Sequence, residues 1–430
     1  MSHLTTKKNF QIFSLIIVFI FSLKYFQSTP FETLFFQAQA FFLGIVLVFL
    51  MLFVFTKLIK RRKFDKMIFY YLLLIVTIPF YSAYRASTEF GQPFIYGVLA
   101  ERTWLLLGTS IWLYYVLITK KISFSTMESA FVFMAWVSLF IFTIFVLTFD
   151  PNQLQSSEEI ANFVHLTEDR GLRFKFQKYF ITFGSIYYFV KYMIDKNAKD
   201  LIYMSFFLGF VFFVIQGRFY ILAILLTYTF YLIMNYSMSR LFVIVIKTGF
   251  VLFVGLLILQ IIMPDYLDRM SYLFSQMFTV LAGQESMDSS ANARIFASLI
   301  VFEYFEMHPM SVFWGTGRVS HQWDGGYDSI FGYFYPSDIG VLGGIFMYGA
   351  IGFIVLYLIP FIFSINVLRK LPSSEDVFIV TFKYLLVYAL IASVQASFYF
   401  TPIRYLIPLL ILYAFLKMQW QDKIGKKSIN

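Results

Sequence analysis

Asp338 stands at the mouth of a long apolar segment, SDIGVLGGIFMYGAIG (337–352), in which five residues are glycine. A carboxylate in such a place can accept a proton from a substrate hydroxyl within hydrogen-bond reach. It can also cap a helix, because Ser and Asp side chains accept hydrogen bonds from the first backbone N–H groups. Both roles stay open for Asp338. Gly340 and Gly344 have the spacing of a close helix crossing, and the glycines could also leave a groove for a lipid chain.

Few other side chains close to this segment could exchange protons. The ionisable groups nearest to it in sequence are Glu303, Glu306, His308, His321, Asp324 and Asp328. The four histidines, at positions 3, 165, 308 and 321, form no closely spaced pair, and the chain has no cysteine, so we expect neither a metal site nor a cofactor. Only Asp324 and Asp328 leave a carboxylate site for a cation open.

The composition indicates a membrane protein. Of the 430 residues, 60% are hydrophobic and only 13% are charged, which is far from the balance of a soluble domain. A membrane-spanning helix needs about 20 apolar residues, and the chain contains about twelve such runs. The predicted fold is all-α, a single transmembrane domain over residues 1–430. Its predicted spans are 10–27, 38–57, 67–84, 102–119, 129–149, 177–194, 201–217, 219–234, 241–263, 339–363, 377–397 and 403–418.

The basic residues orient these spans. In a twelve-span arrangement, 22 of the 34 Lys and Arg residues fall on the side that carries both termini, and 12 fall on the other. Positively charged loops stay in the cytoplasm, so we expect both termini there. The net charge of +10 is then explained by topology, and we expect no nucleic-acid partner.

The outer side carries arginine in place of lysine. Nine of the 13 arginines but only three of the 21 lysines fall there. A guanidinium offers a planar fork of donors that matches phosphate or carboxylate, whereas an ammonium is a point charge. These arginines can pair with outer carboxylates or with lipid phosphates, but the shared bias favours an anionic ligand. They are Arg85, Arg102, Arg170, Arg173, Arg218, Arg269, Arg294, Arg318 and Arg404.

Two long outer loops could hold such a ligand. Residues 264–338 form the larger loop, which we interpret as a subdomain carrying amphipathic helices at about 267–281 and 291–307, the second ended by Pro309. Residues 150–176 form the smaller loop. Ser156 followed by Glu159 predicts the start of a helix there.

Three stretches carry a resemblance to a known family. They are IQGRFYIL (215–222) at a short outer turn, ANARIFASLIVFEYFEMHPMSVFWGTG (291–317) in the large loop, and SDIGVLGGIFMYGAIG (337–352). Together with the twelve-span plan they resemble the O-antigen polymerase and ligase superfamily, whose Wzy-type members act on polyprenyl-pyrophosphate-linked oligosaccharides. The resemblance implies a bacterial cytoplasmic (inner) membrane protein that builds lipopolysaccharide, capsule or exopolysaccharide as a glycosyltransferase on the outer face.

The resemblance can be followed residue by residue. Arg218 matches an arginine that in the family often follows a Thr/Ser-Xaa-Ser stretch, although Ile215, Gln216 and Gly217 precede it here. Arg294 matches the arginine that opens the loop helix. Asp338 stands where many ligases and polymerases of the family have histidine followed by asparagine, and where other polymerase branches have Asp-Xaa-Gly, so the resemblance to a ligase is weaker.

These positions predict the roles of the site. We expect Asp338, Arg294 and Arg218 to be catalytic, the arginines stabilising the charge on the departing pyrophosphate. Arg404, which flanks a span at the same outer level, is expected to bind that group as well. The further substrate-binding candidates are Arg318, His308, His321, Glu303, Trp314 and Tyr335. The two aromatic side chains are candidates because sugar rings stack on aromatic faces, although interfacial aromatics are common in membrane proteins.

The expected partners are the lipid-linked oligosaccharide and membrane lipid, with a chain-length regulator and a flippase of the same pathway as further candidates. Two alternatives remain: a ligase that transfers glycan to a lipid core, and a flippase or exporter of lipid-linked saccharide. A transporter would place charges near the bilayer midplane along several helices. Here charges collect at the outer span ends and in one loop, which favours an enzyme.

Overall fold

The structure is a computed structural model. It describes residues 2–26, 31–61, 63–149, 164–167, 171–174, 176–243, 260–261, 275, 289–332, 334–396 and 399–427.

Helices form most of the described chain. In the first part they are α1 (Ser2–Ser22), α2 (Glu32–Ile59), α3 (Lys66–Phe90), α4 (Phe94–Ala100), α5 (Leu107–Ile118), α6 (Phe124–Thr148), α7 (Tyr179–Asp195), α8 (Ala198–Phe210) and α9 (Arg218–Asn235). In the second part they are α10 (Ser289–Met307), α11 (Pro309–Trp314), α12 (Tyr327–Phe331), α13 (Gly340–Phe353), α14 (Ile359–Lys370), α15 (Val377–Ala396) and α16 (Pro402–Lys427).

The protein is a multi-pass helical membrane protein. Eight of the described helical segments are long and apolar enough to cross a bilayer. They are Leu34–Ile59, Lys66–Phe90, Phe124–Thr148, Ala198–Ile215, Arg218–Asn235, Pro336–Lys370, Val377–Gln395 and Pro402–Asp422. Three further predicted spans coincide with α1, whose apolar part is only Lys8–Ser22, and with the shorter helices α5 and α7. Most of the predicted span 241–263 lies outside the described residues.

The centre of the bundle is aromatic. Phe131 on α6 has ring contacts with Phe19, Phe180, Phe183 and Phe382, at centroid separations of 4.5 to 5.8 Å. Such tilted and edge contacts stabilise a core by more than the area they bury. The short helix α5 is almost wholly buried and packs along α16. This burial explains why a helix of only 12 residues is stable inside the bundle.

The smaller predicted loop contains a short β-hairpin within an otherwise helical chain. Val164–Thr167 and Gly171–Phe174 form an antiparallel hairpin in which Val164 pairs with Phe174. Phe174 is buried and stacks on Phe176 at 5.2 Å, which fixes the register from the apolar side. The helix predicted from Ser156 and Glu159 lies outside the described residues, as does the amphipathic helix predicted at 267–281, where the structure describes only residue 275.

The large loop contains the second predicted helix. α10 covers Ser289–Met307, and α11 begins at Pro309, so the predicted helix at 291–307 and its end before Pro309 are confirmed. Proline ends the helix because it has no N–H to donate and restricts the residue before it. The chain then turns at Gly315 and passes between α3 and α13.

The glycines of the opening stretch serve close packing. A Cβ on Gly343 would lie 1.8 Å from the Pro336 carbonyl oxygen, and one on Gly344 would lie 2.0 Å from the Tyr399 ring. At Gly349, where φ is +70°, the helix is kinked against the Phe313 carbonyl. The packing interpretation is therefore confirmed for these glycines, because their missing side chains let other backbone and ring atoms approach the helix.

Gly344→Ala is expected to destabilise the protein by about 1–3 kcal/mol, because the Tyr399 ring is fully packed and must shift to admit a methyl group. Gly44→Ala is the matched control, since nothing lies within 4 Å of a Cβ at that helical position. Thermal unfolding in detergent measures both variants. Equal unfolding temperatures for the two would contradict the close contact.

Candidate functional site

The large loop encloses a small cavity beside the start of α13. The cavity measures about 150 Å³ and is lined by Arg318, His321, Asp328, Tyr335 and Ser337, among others. We name it the loop cavity. Three residues predicted to bind substrate, Arg318, His321 and Tyr335, therefore come together there.

Backbone bonds hold the loop against the bundle. The N–H groups of Thr316 and Gly317 donate to the carbonyls of Phe346 and Met347, at 2.9 and 2.8 Å. Gly317 has φ +78°, and a Cβ there would lie 2.2 Å from the Ser82 carbonyl oxygen. Only glycine fits this position without strain. The loop thus reaches α3 about two turns before its C-terminal end at Phe90, within the bundle.

Arg318 is anchored by a buried carboxylate. Its Nη1 lies 3.6 Å from Oε2 of Glu101, a residue with no exposed surface. Oε1 of Glu101 accepts hydrogen bonds from Ser82 at 2.7 Å and from Tyr348 at 2.6 Å. Burial is the largest single effect and lowers the pKa of Arg318, but Glu101, Tyr348 and Tyr327 together raise it by more, so the net pKa is above its ordinary value. The guanidinium stays charged, and its partly exposed side chain faces the cavity.

Glu101 was not a candidate in the sequence analysis. The available signal was an acidic residue at the start of the predicted span 102–119. A charged side chain inside a membrane has a high free-energy cost and usually serves a function. Its partners lie far away in the chain, so the sequence does not reveal the pair.

Asp328 has the geometry of an oriented carboxylate. The Tyr335 hydroxyl donates to its Oδ2 at 2.7 Å. Its Oδ1 is buried and has no hydrogen-bond partner among the described residues. One carboxylate oxygen is thus oriented by a hydrogen bond and the other has no partner. The second oxygen is suited to accept a hydrogen bond, and then a proton, from a ligand hydroxyl in the cavity.

Asp338 lies next to the same cavity. It is exposed in a single 3-10 turn, Pro336–Ile339, directly after the lining residue Ser337. The N-cap residue of α13 is Ile339, whose side chain makes no capping hydrogen bond. Asp338 therefore does not take the N-cap position that the capping interpretation assigned to it. Its catalytic role stays a prediction.

A second cluster, the arginine–tyrosine site, surrounds Arg404. This partly buried arginine near the start of α16 interacts electrostatically with Tyr179, Tyr220 and Tyr388, which come from three other helices. The Tyr220 hydroxyl lies 2.6 Å from the Thr182 hydroxyl. No carboxylate of the described chain forms a salt bridge with Arg404.

Two more cations belong to this region. The Lys178 ammonium lies 5.4 Å from the centre of the Tyr220 ring. Arg218 is the first residue of α9, two positions before Tyr220. A Cβ on Gly217 would lie 3.8 Å from the Lys178 ammonium, so this lysine sits beside the turn that carries Arg218.

Three helices begin at the arginine–tyrosine site. α7 starts at Tyr179, α9 at Arg218 and α16 at Pro402, and the N-cap residues of the first two, Lys178 and Gly217, give no side-chain cap. A helix N-terminus carries about half a positive charge and presents free N–H groups to anions. The positive potential of the three helix N-termini therefore adds to that of the basic side chains at this site.

The loop cavity and the arginine–tyrosine site are neighbours. Phe400 lines the loop cavity from the turn just before α16, and Arg404 is the third residue of that helix. A ligand with an anionic group at Arg404 could therefore extend towards Arg318 and Asp328.

Four predicted site residues lie elsewhere. Arg294 and Glu303 are exposed on α10, Trp314 is exposed on α11, and none of them lines the loop cavity. His308 stacks on Tyr304 at a centroid separation of 4.5 Å. This histidine flanks a network at the end of α3, in which Glu89 accepts hydrogen bonds from Tyr304 and Ser311 and pairs with Arg85.

No group of three or more His, Asp and Glu side chains in the described part of the chain could hold a metal ion. The chain matches no protein-family model, and searches of curated proteins and of solved structures give no significant match. The site is therefore interpreted from its own chemistry.

Proposed function

We propose that this protein is a polymerase of polyprenyl-pyrophosphate-linked oligosaccharide repeat units, working on the outer face of a bacterial cytoplasmic membrane. The observation that carries the proposal is Arg404, partly buried among three tyrosines where three helices begin, with no carboxylate paired to it among the described residues. Such a place favours a ligand with more than one negative charge near the membrane surface. A pyrophosphate-linked lipid has that charge at that level.

The reaction follows from the two neighbouring clusters. Arg404 and Arg218 bind the pyrophosphate of the donor lipid and neutralise the charge that develops on it. The acceptor sugar enters the loop cavity, where Asp328 takes the proton of its hydroxyl. The hydroxyl oxygen then bonds to the anomeric carbon as the bond from that carbon to the pyrophosphate oxygen breaks. The product is a longer lipid-linked glycan and a free polyprenyl pyrophosphate.

Two predicted residues keep different positions in this proposal. Asp338, next to Ser337 at the cavity, is the second candidate for the base. Arg294 is exposed on α10, and its catalytic role rests on the family resemblance alone.

The size distribution of the products, a ladder of lipid-linked oligosaccharides, tests the function. Purified protein in liposomes would receive a polyprenyl-pyrophosphate-linked repeat unit, with no nucleotide, and the products would be separated by size. We expect a series of longer lipid-linked oligosaccharides, because the donor already carries a good leaving group. Recovery of unchanged donor alone, from protein that is folded and correctly inserted, would refute the polymerase.

One buried ion pair supports the alternative function, a flippase or exporter. The Glu101–Arg318 pair is an ion pair within the bundle, as expected of a transporter pathway. A flippase would move the labelled lipid between leaflets of the same liposomes without lengthening it. Movement without a ladder would therefore favour the transporter over the polymerase.

We further propose twelve spans with both termini in the cytoplasm. Because the chain has no cysteine, single cysteines report topology directly. Thr88→Cys at the outer end of α3 is expected to react with an impermeant thiol reagent in intact, outer-membrane-permeabilised cells. Ser373→Cys, between α14 and α15, is expected to react only after lysis; both residues are exposed. The reverse pattern would invert the proposed orientation.

A further inference from the structure

A long apolar groove lies on the flank formed by α2, α3 and α4. Its volume is about 780 Å³, and 15 of its 16 lining residues are apolar. The exception is Arg102. Met51 and Phe55 on one wall and Val76 and Phe80 on the other are each more than half exposed, so the groove is open to the surroundings of the bundle. In a membrane those surroundings are lipid chains.

Arg102 marks the outer end of this groove. Its guanidinium lies 5.7 Å from the centre of the Phe36 ring, near the start of α2. The residues of α2 that line the groove run from Leu47 to Leu58, about 17 Å at 1.5 Å per residue. The lined wall therefore covers about half of the hydrocarbon thickness of one bilayer, with the arginine towards one boundary.

The charge of Arg102 has no counter-ion in the described chain. No described carboxylate forms a salt bridge with it, and its contact with Phe36 leaves guanidinium donors for a phosphate. No other described residue that lines the groove is charged. A headgroup with a net negative charge fits this site better than a zwitterionic one, because the described lining residues offer no carboxylate for an ammonium group.

The groove is on another flank from the arginine–tyrosine site. Its walls are α2, α3 and α4, whereas Arg404 and its tyrosines belong to α7, α9, α15 and α16. A lipid in the groove is therefore not positioned to donate its phosphate to the chemistry proposed above. It is a second ligand, independent of that reaction.

We propose that the groove binds an anionic glycerophospholipid of the outer leaflet, with an acyl chain against Val76 and Phe80 and the phosphate on Arg102. This site goes beyond the proposed polymerase activity and does not depend on it. The lipid covers apolar side chains that the bundle leaves unpacked, so its binding is expected to stabilise the fold.

The test is retention of lipid by the purified protein. Delipidated protein would be given phosphatidylglycerol or phosphatidylcholine, and the bound lipid would be counted by native mass spectrometry. We expect phosphatidylglycerol to be preferred, and Arg102→Gln to lower its retention about fivefold. Arg369→Gln is the matched control, because it removes the same charge from an exposed arginine at the other end of the bundle.

A second variant probes the apolar wall. Val76→Trp keeps Arg102 but fills the groove from a lipid-facing position, and it is expected to lower retention as well. Equal retention of the two phospholipids, or unchanged retention in Arg102→Gln, would overturn the proposal. Displacement of phosphatidylglycerol by an equimolar polyprenyl phosphate would also overturn it, and would assign the groove to a polyprenyl lipid.

Discussion

Arg404→Lys is expected to reduce polymer formation about 10²- to 10³-fold, nearly as much as Arg404→Ala, because the donors that match a departing pyrophosphate belong to the planar guanidinium. Lysine keeps the positive charge, but it offers a single ammonium in place of a fork. At a site that only needs charge, lysine would restore most of the activity. At a bidentate site it restores little.

The arrangement around Arg404 makes this contrast sharp. Arg404 is partly buried and interacts electrostatically with Tyr179, Tyr220 and Tyr388, and no described carboxylate forms a salt bridge with it. Arg218→Lys is expected to show the same trend with a smaller loss, since the N-terminus of α9 still attracts the anion.

Arg369→Lys is the control, because this arginine is exposed at the end of α14, far along the chain from both clusters. The measurement is the ladder of lipid-linked products, at equal amounts of folded protein in the membrane. Parental activity of Arg404→Lys would show that the guanidinium does not bind the pyrophosphate through its fork.

Asp328→Asn is expected to lower the rate of glycosyl transfer by about 10²- to 10⁴-fold without unfolding the protein, because the amide keeps the shape of the side chain but cannot take a proton. The Asn oxygen can still accept the hydrogen bond from Tyr335. In the parent protein, the buried and unsatisfied Oδ1 of Asp328 is the atom that would receive the proton. The amide nitrogen that replaces this atom in Asp328→Asn cannot accept it.

Asp338→Asn separates the two candidate bases. If Asp328 is the base, the Asp338→Asn variant is expected to keep most of the parental activity. Asp338 is exposed and is not among the residues that line the loop cavity. Loss of the ladder in Asp338→Asn, with near-parental activity in Asp328→Asn, would assign the proton transfer to Asp338, as the sequence motif predicts.

Tyr335→Phe provides a further comparison. It removes the hydroxyl that orients Asp328 but leaves the carboxylate and the aromatic face in place. We expect a smaller loss than in Asp328→Asn, seen in the rate at saturating donor. An unchanged rate would show that the hydrogen bond from Tyr335 does not position the base.

Both clusters contain residues that the sequence singled out, but their partners came from the structure. Arg404 and Arg318 were candidates because, in the predicted topology, the outer side keeps arginine where the inner side has lysine. Nothing in the chain near Arg318 points to Glu101, and the hydrogen bond from Tyr348 to that carboxylate joins residues 247 positions apart. Asp328 was one of several acidic residues near the motif until the Tyr335 contact distinguished it.

The sequence by itself determined the features that depend on neighbouring residues. The membrane setting, most of the helices, the end of α10 before Pro309 and the glycine-dependent packing of α13 follow from apolar run length, proline geometry and the absence of side chains. Only the tertiary structure decided which helices lie side by side. It brought the starts of α7, α9 and α16 together around Arg404, pressed the loop at Gly317 against Ser82, and folded the chain near Phe174 into a hairpin. An apolar helix packs against many apolar partners with similar energy, so local patterns carry little information about such neighbours.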